Sequence, residues 1–204
     1  MHRLRTVVLT FILFAASAPA AIAGTITFEG SVGTADGIGA FLDVDGYRFM
    51  ITGGNASAIE FITDQNTFVE PGTTKLLAGN HTQVTMTKVG GGTFNLLSAD
   101  IGGSWIDFPV RWASSVNVTA GGTTISVALP PDDPTYQTGN FNFIGITDVT
   151  FIPLINAGGG LNDWEFTLDN LVTSESVPDL GSTLSLFSLG LAGVAAFAAK
   201  RRHL

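Results

Sequence analysis

The sequence predicts an all-β body, an antiparallel β-sandwich, and three observations carry that prediction. Short segments rich in Thr, Val, Ile and Phe recur between residues 24 and 176, and the breaks between them are Gly, Asn, Asp and Pro. Within these segments apolar residues alternate with polar ones, the period of a half-buried strand. No helical periodicity and no repeat of fixed period interrupts them. About ten short strands fit this pattern, and a sandwich with jelly-roll-like connectivity accommodates them better than a closed barrel.

Taken in order, Thr25 to Glu29 alternates, with Ile26 and Phe28 on one face and Glu29 on the other. Phe41 to Ile51 reads as two strands joined at Asp45-Gly46, a favoured hairpin pair. Asp43-Val44-Asp45-Gly46 also resembles the start of a calcium loop, but it lacks the later ligands, so a hairpin turn is expected. Ala58 to Thr63 is a strand, and Phe68 to Asn80, with Pro71-Gly72 and Gly79-Asn80, reads as a loop. Thr82 to Val89 puts Val84 and Met86 on one face, and Gly90-Gly91-Gly92 ends it. Thr93 to Ile101 follows. Trp105 to Ala120 is long, and Trp112 is in phase with Phe108 and Val110, which places it in the core. Gly121-Gly122 turns the chain into Thr123 to Leu129. Phe141 to Ile152 breaks near Thr147-Asp148. In the final strand, Asp163 to Thr173, the side chains of Trp164, Phe166 and Leu168 face the core, and Asp163, Glu165 and Asp169 face away.

Residues 24 to 176 hold 16 acidic and 4 basic side chains, a formal charge of −12. Such a surface repels phosphate backbones, which excludes nucleic-acid binding. There is no cysteine, so disulfides, thiolate metal sites and cysteine nucleophiles are excluded. His81 is the one histidine outside the two chain ends, so no multi-histidine metal site can form. The glycine runs lack phosphate-loop and dinucleotide-binding spacings. A polysaccharide hydrolase working with two carboxylates is the remaining catalytic alternative, but the Glu-x-Asp-x-x-Glu pattern of sandwich-fold glucanases is missing. The chain is read as a non-enzyme.

The ends carry separate instructions. Met1-His2-Arg3-Leu4-Arg5, an apolar run from Val7 to Ala16 and Ala21-Ile22-Ala23 make a secretory signal peptide, residues 1–23, cut after Ala23. A permanent N-terminal anchor is the alternative. The other end, residues 177–204, has three parts: a motif at 177–183, an uncharged apolar run at 184–199 and a basic end at 200–204 with Lys200, Arg201 and Arg202. As a helix the apolar run spans roughly 24–27 Å, just enough to cross a membrane with the help of the Lys200 stem. The basic end stays cytoplasmic and the body faces outward. The alternative, a buried core helix, is usually amphipathic, and this run is apolar all round.

The tail resembles the PEP-CTERM family of C-terminal sorting signals of Gram-negative bacteria. Its motif is Val177-Pro178-Asp179-Leu180-Gly181-Ser182-Thr183. Pro178 matches the first proline of Pro-Glu-Pro, Asp179 replaces the glutamate, and Leu180 stands in place of the second proline. The run is closer to the Val-Pro-Asp-Ser-Gly variant. The resemblance implies recognition by an exosortase, a membrane protease-transpeptidase, and a precursor held in the inner membrane before it reaches the cell surface or matrix.

The body resembles exported jelly-roll modules in two places. Phe166-Thr167-Leu168-Asp169-Asn170-Leu171 is similar to their hydrophobic-Asp-Asn-hydrophobic close, and Ile26-Thr27-Phe28-Glu29 looks like the matching first strand. Galactose-binding-like and concanavalin-like sandwiches both fit. In jelly-roll carbohydrate-binding modules, acids of the first and last strands often hold a structural calcium. Carried over, Glu29 and Asp169 are the calcium candidates, with solvated acids, or Asp169 as a cap of the closing turn, as the alternative. No cofactor is otherwise required. Trp105, in a Gly-Gly-Ser-Trp loop, and Tyr136, in a Pro/Asp loop, are the candidate sugar-stacking aromatics. The expected function is a structural or adhesive surface protein, with a carbohydrate-binding module as first alternative. Its expected partners are the exosortase, an exopolysaccharide and the membrane.

Overall fold

In the computed structural model the described residues are 23–55, 57–63, 73–104, 111–130, 135–154 and 164–175. Most of the signal peptide, the whole sorting motif from Val177 to Thr183, the apolar run, the basic end and Trp105 lie outside them. Among the described residues no helix is long and apolar enough to cross a membrane.

Among the described residues thirteen strands form in chain order: β1 (Ala23–Ile26), β2 (Gly33–Asp36), β3 (Phe41–Val44), β4 (Tyr47–Gly53), β5 (Ala58–Ile62), β6 (Lys75–Gly79), β7 (Gln83–Lys88), β8 (Phe94–Gly102), β9 (Ser115–Ala120), β10 (Thr123–Ala128), β11 (Gln137–Ile146), β12 (Asp148–Leu154) and β13 (Phe166–Glu175). They make two antiparallel sheets. One has the order β11-β8-β13-β6-β5-β2, with β1 also paired to β13, and the other has the order β10-β9-β12-β7-β4-β3. From β7 onward the chain crosses between sheets repeatedly, which makes the sandwich jelly-roll-like.

The core lies between the sheets and is built by alternation. Tyr47, Phe49 and Ile51 on β4, Val84 and Met86 on β7, and Val149 and Phe151 on β12 face inward from the six-stranded sheet. Leu76, Phe94, Ile101, Phe166 and Leu168 meet them from the other. Aromatic pairs join the layers: the rings of Tyr47 and Phe94 stand 5.3 Å apart, edge to face. Each such ring contributes about 1.5–3 kcal/mol by its burial.

Turn chemistry acts where the sequence places it. Asp45 and Gly46 take φ 49° and 80°, which closes the β3–β4 hairpin, so this stretch is a turn and not a calcium loop. Gly121 and Gly122 close β9–β10 in the same way, with φ 54° and 79°. The expected loop at Phe68 to Asn80 is corrected at its end, because Lys75–Gly79 is β6. Four of its five residues are buried, and a strand covered on both faces loses the alternation that reveals strands.

β13 is the seam of its sheet. Along one side it pairs with β8. Along the other it pairs first with β6 (Phe166 to Leu168) and then with β1 (Leu171 to Ser174). Asp169 and Asn170 fall at the handover. The ladder with β8 shifts register there, and Asn170 turns to φ 46° in a β-bulge. Asn tolerates this left-handed conformation. Beyond β1, Phe28 takes φ 54°, a strained value for a bulky residue that costs about 1–3 kcal/mol. Its ring is buried against Phe49 at 5.4 Å and Phe61 at 5.6 Å, which offsets that cost.

Candidate functional site

The outward face of the seven-stranded sheet is where buried charge collects. Lys75, Glu165, Thr167 and Asp169 all point away from the core, yet each is less than 4% exposed. Part of the cover is aromatic. A Cβ on Gly102 would sit 2.9 Å from the Tyr136 ring, and one on Gly103 would sit 2.2 Å from the Trp112 indole. Glycine at both positions lets the rings lie flat on the strand. Two polar sites result.

The first is at the handover on β13. Asp169 Oδ2 accepts from Thr73 Oγ1 at 3.1 Å, and its Oδ1 accepts from its neighbour's amide, Asn170 N, at 2.8 Å. Glu29 Oε1 accepts from Thr74 N at 3.1 Å. Adjacent threonines therefore tie the two carboxylates from opposite ends of the body to one place. Burial pushes the Asp169 carboxyl up to about 6; the charge of Glu29 adds to this, while the Asn170 and Thr73 bonds and Lys75 oppose it. Asn170 Nδ2 donates onward to Asp100 Oδ2 at 3.0 Å, and Thr138 Oγ1 donates to Asp100 Oδ1 at 2.6 Å. Lys75 Nζ lies 5.8 Å from the centre of the Tyr136 ring.

Glu29 and Asp169 are hard oxygen donors of the kind calcium takes, and an ion would relieve the repulsion between them. Lys75 works against an ion here. Among the described residues no group of three or more His, Cys, Asp or Glu is placed to hold a metal, so any calcium would need backbone oxygens beside these two.

The second site was not singled out from the sequence. It is an open cleft of about 180 Å³ lined by Ala58, Glu60, Leu77, Gly79, Asn80, Arg111 and Glu165. Strands β5 and β6 supply one wall through outward-facing Glu60 and Leu77. Asn80 and His81, with φ 53° and 60°, turn the chain at the end of β6. Arg111 and Glu165 are held opposite by backbone bonds: Glu165 N donates to Arg111 O at 2.8 Å, and Ala113 N donates to Glu165 O at 3.0 Å. Arg111 Nη2 donates to Glu165 Oε1 at 2.5 Å. Glu165 Oε2 is buried and accepts no hydrogen bond. Ser104 Oγ is buried beside this carboxylate, close enough to act on it. Burial pushes the Glu165 carboxyl up, and Ser104, Arg111 and the Asn80 backbone hold it back. Beside the turn, His81 stands edge-on to Trp164 at 4.4 Å, and burial lowers the pKa of His81.

A larger cleft, about 240 Å³, runs beside β1 between Asp45, Tyr47 and Glu175, but none of its lining residues buries an unmet polar atom. The geometry therefore favours the smaller cleft.

Of the proposed stacking aromatics, Tyr136 is half-buried with its hydroxyl inside the protein. Trp164 is buried in the core, as expected, whereas Trp112, expected there too, is buried outside the core cluster, over Gly103 on the outer face of the seven-stranded sheet. The sequence did carry a sign of the second site: Arg111 and Glu165 are single charges set directly beside Trp112, Trp164 and Phe166.

No protein family matches the chain's sequence, and no curated protein matches it either. Several solved structures are similar in shape. One is the M60 catalytic domain with the CBM51-1 and CBM51-2 domains from Clostridium perfringens ZmpB, at 10% identity and TM-score 0.41, covering 70% of this chain and 15% of that one. Another is CBM51-2 in complex with GlcNAc and INT domains from the same protein, at 11% and 0.40, covering 68% and 31%. A third is a CBM29-2 mutant complexed with mannohexaose, at 14% and 0.36, covering 76% and 93%. The chain spans less than a third of the length of the ZmpB structures. At these scores the assignment of the sandwich rests on the chain's own strand pairing.

Proposed function

We propose that this chain is an exported surface protein whose sandwich binds a polysaccharide at the Arg111–Glu165 cleft and whose tail is read by an exosortase. The observation that supports the binding reading is the open cleft whose wall carries the Arg111–Glu165 pair, the outward-facing Glu60 carboxylate and Leu77 together. Leu77 gives the cleft an apolar wall, the usual complement to a few placed polar groups. Among the described residues no Trp or Tyr is fully exposed, so recognition here works through polar contacts more than stacking.

Binding is favoured over hydrolysis because Arg111 already fixes one oxygen of Glu165, which ties up the carboxylate a general acid would need free. Glu29 and Asp169 are the residues that would hold a structural calcium, which would supply charge neutralisation at the β13 handover. The export and sorting parts rest on the two chain ends.

The test is a glycan array probed with the full-length chain in mild detergent. Specific binding that is lost in Glu165→Gln supports the reading. An array with no specific signal, from protein whose folding is shown by a cooperative thermal transition, overturns it.

A further inference from the structure

The two sheets end in β11 and β2 and in β10 and β3, and β1 leaves a further edge beside β13. An edge strand offers unpaired backbone groups to another chain. Here β1, β2 and β3 have only four residues each, β2 ends in Asp36, and Asp43 on β3 pairs with Arg48 at 2.9 Å. Short strands and charges both discourage pairing. β11 is longer, but its ladder with β8 shifts register twice and Asn142 takes φ 51°. Such bulges turn an edge away from a partner. β10 has none of these devices. Its six residues include no charge, proline or glycine, and all six are in unbroken register with β9. Among the described residues no strand pairs on its other side.

The charge of the body leaves this side open. At −12, two copies repel each other over most of their surfaces. β11 lies behind β10: a Cβ on Gly139 would sit 2.8 Å from Val127 Cγ2. No charged residue falls between Trp112 and Pro131 or between Thr135 and Thr147. Asp132 and Asp133, in the connection, lie outside the described residues. The opposite side of the sandwich carries Asp36, Asp43 and Arg48. Two acidic bodies therefore approach at least cost along β10 and β11.

The hairpin fixes what the edge offers. Gly121-Gly122 make a two-residue turn, so Ala120 and Thr123 close it by exchanging backbone bonds. By alternation Ile125 and Val127 also bond to β9, while Thr124, Ser126 and Ala128 turn N–H and C=O outward. Side chains alternate as well: Ile125 and Val127 point inward, and Thr124 and Ser126 are exposed. An antiparallel copy has to match outward backbone with outward backbone and core face with core face. Centring the pair on Ser126 does both. Ser126 meets its own counterpart, Thr124 meets Ala128, and half-buried Ile125 is covered by Val127. No other centre exchanges as many backbone bonds within the strand.

We infer that the β10 edge is a self-association site, where two copies of this chain pair antiparallel about a two-fold axis at Ser126 and join their six-stranded sheets into one. The contact is isologous and closes at a dimer, because the remaining edges are short or bulged. It is separate from the Arg111–Glu165 cleft and does not depend on glycan binding.

Analytical ultracentrifugation of the full-length chain in mild detergent, over a concentration series, tests this. A monomer–dimer equilibrium is expected, and it tightens as salt rises because the bodies carry like charge. Ser126→Pro removes the outward N–H at the axis, which an edge strand tolerates, and is expected to weaken the dimer at least about tenfold. A cooperative thermal transition checks that this variant is folded. Ser126→Cys gives an independent reading. The chain has no cysteine of its own, and residues opposed in a hydrogen-bonded pair stand about 5.5 Å apart at Cα, within disulfide reach. Under mild oxidation Ser126→Cys is expected to cross-link two copies faster than Thr34→Cys, which is exposed on β2. A chain that stays monomeric up to about 0.1 mM overturns the inference. So does a dimer that Ser126→Pro leaves unchanged, or equal cross-linking of the two cysteine variants, either of which assigns the association to another surface.

Discussion

Arg111 and Glu165, 54 positions apart, are joined twice: side chain to side chain at 2.5 Å and backbone to backbone at 2.8 Å. The backbone bond holds the guanidinium and carboxylate in register, so the ion pair forms part of the wall of the cleft. Glu165 is the buried member and Arg111 is about one-third exposed, with side-chain exposures of 4% and 34%.

Arg111→Ala strips the pair from a buried carboxylate. Breaking a fully buried pair costs about 3–5 kcal/mol, and the exposure of Arg111 brings this to about 2–3 kcal/mol. The loss should be larger at pH 8, where Glu165 is charged, than at pH 4, where protonation relieves it. Urea unfolding at the two pH values measures the difference. An equal loss at both would mean the pair does not hold a charged carboxylate.

Asp169 should make stability fall as pH rises. Its folded pKa, about 6, is above the ordinary 3.8, so between these values the folded state holds the extra proton. Stability from this group is full below pH 4 and is lost on the way to pH 6. Two units correspond to about 3 kcal/mol. In calcium-free buffer Asp169→Asn is therefore expected to be more stable than the parent at pH 7.5 and equal to it near pH 4. A parent that keeps its advantage at pH 7.5 would show that Asp169 is stabilised as the anion.

Calcium should reverse that penalty if Glu29 and Asp169 hold it. At calcium 100-fold above its dissociation constant the gain is about 2.7 kcal/mol, which raises the melting temperature by about 5–10 °C. EDTA should remove the shift, and Asp169→Ala should abolish it. Thermal scans that superimpose with and without calcium would remove the ion from this site.

The bulge on β13 needs a left-handed residue. Asn170→Ala and Asn170→Gly both lose the amide bond to Asp100, so their difference isolates the backbone cost at φ 46°. Gly is expected to be more stable than Ala by about 1 kcal/mol. Equal midpoints in denaturant would mean the bulge relaxes.

Intact-mass analysis of the protein from native cells tests the chain ends. Export and sorting predict a form that starts at Gly24 and ends near Pro178, dependent on the exosortase. A product that retains residues 184–202 with and without the enzyme would make the tail a permanent anchor.

Local information determined much of this protein. The alternation in β4, β7 and β12 shows which face is core, because burial repeats every second residue. The Asp45-Gly46 and Gly121-Gly122 turns are legible because left-handed φ is cheap there. The inward set of Trp164, Phe166 and Leu168 follows from the same period. Only the tertiary structure decided what becomes of the opposite set. Glu165 and Asp169 read as acids that face away from the core, yet both are buried, on a sheet face that alternation marks as outside and that Trp112 and Tyr136 partly cover. β6 escaped for the same reason, since a strand covered on both sides has no alternation to read. The pairing of Arg111 with Glu165, and of Glu29 with Asp169 through Thr73 and Thr74, depends on the order of strands around β13. Strand order is set by contacts between distant segments, whose energies are summed over the whole sandwich and leave no periodic trace in the chain.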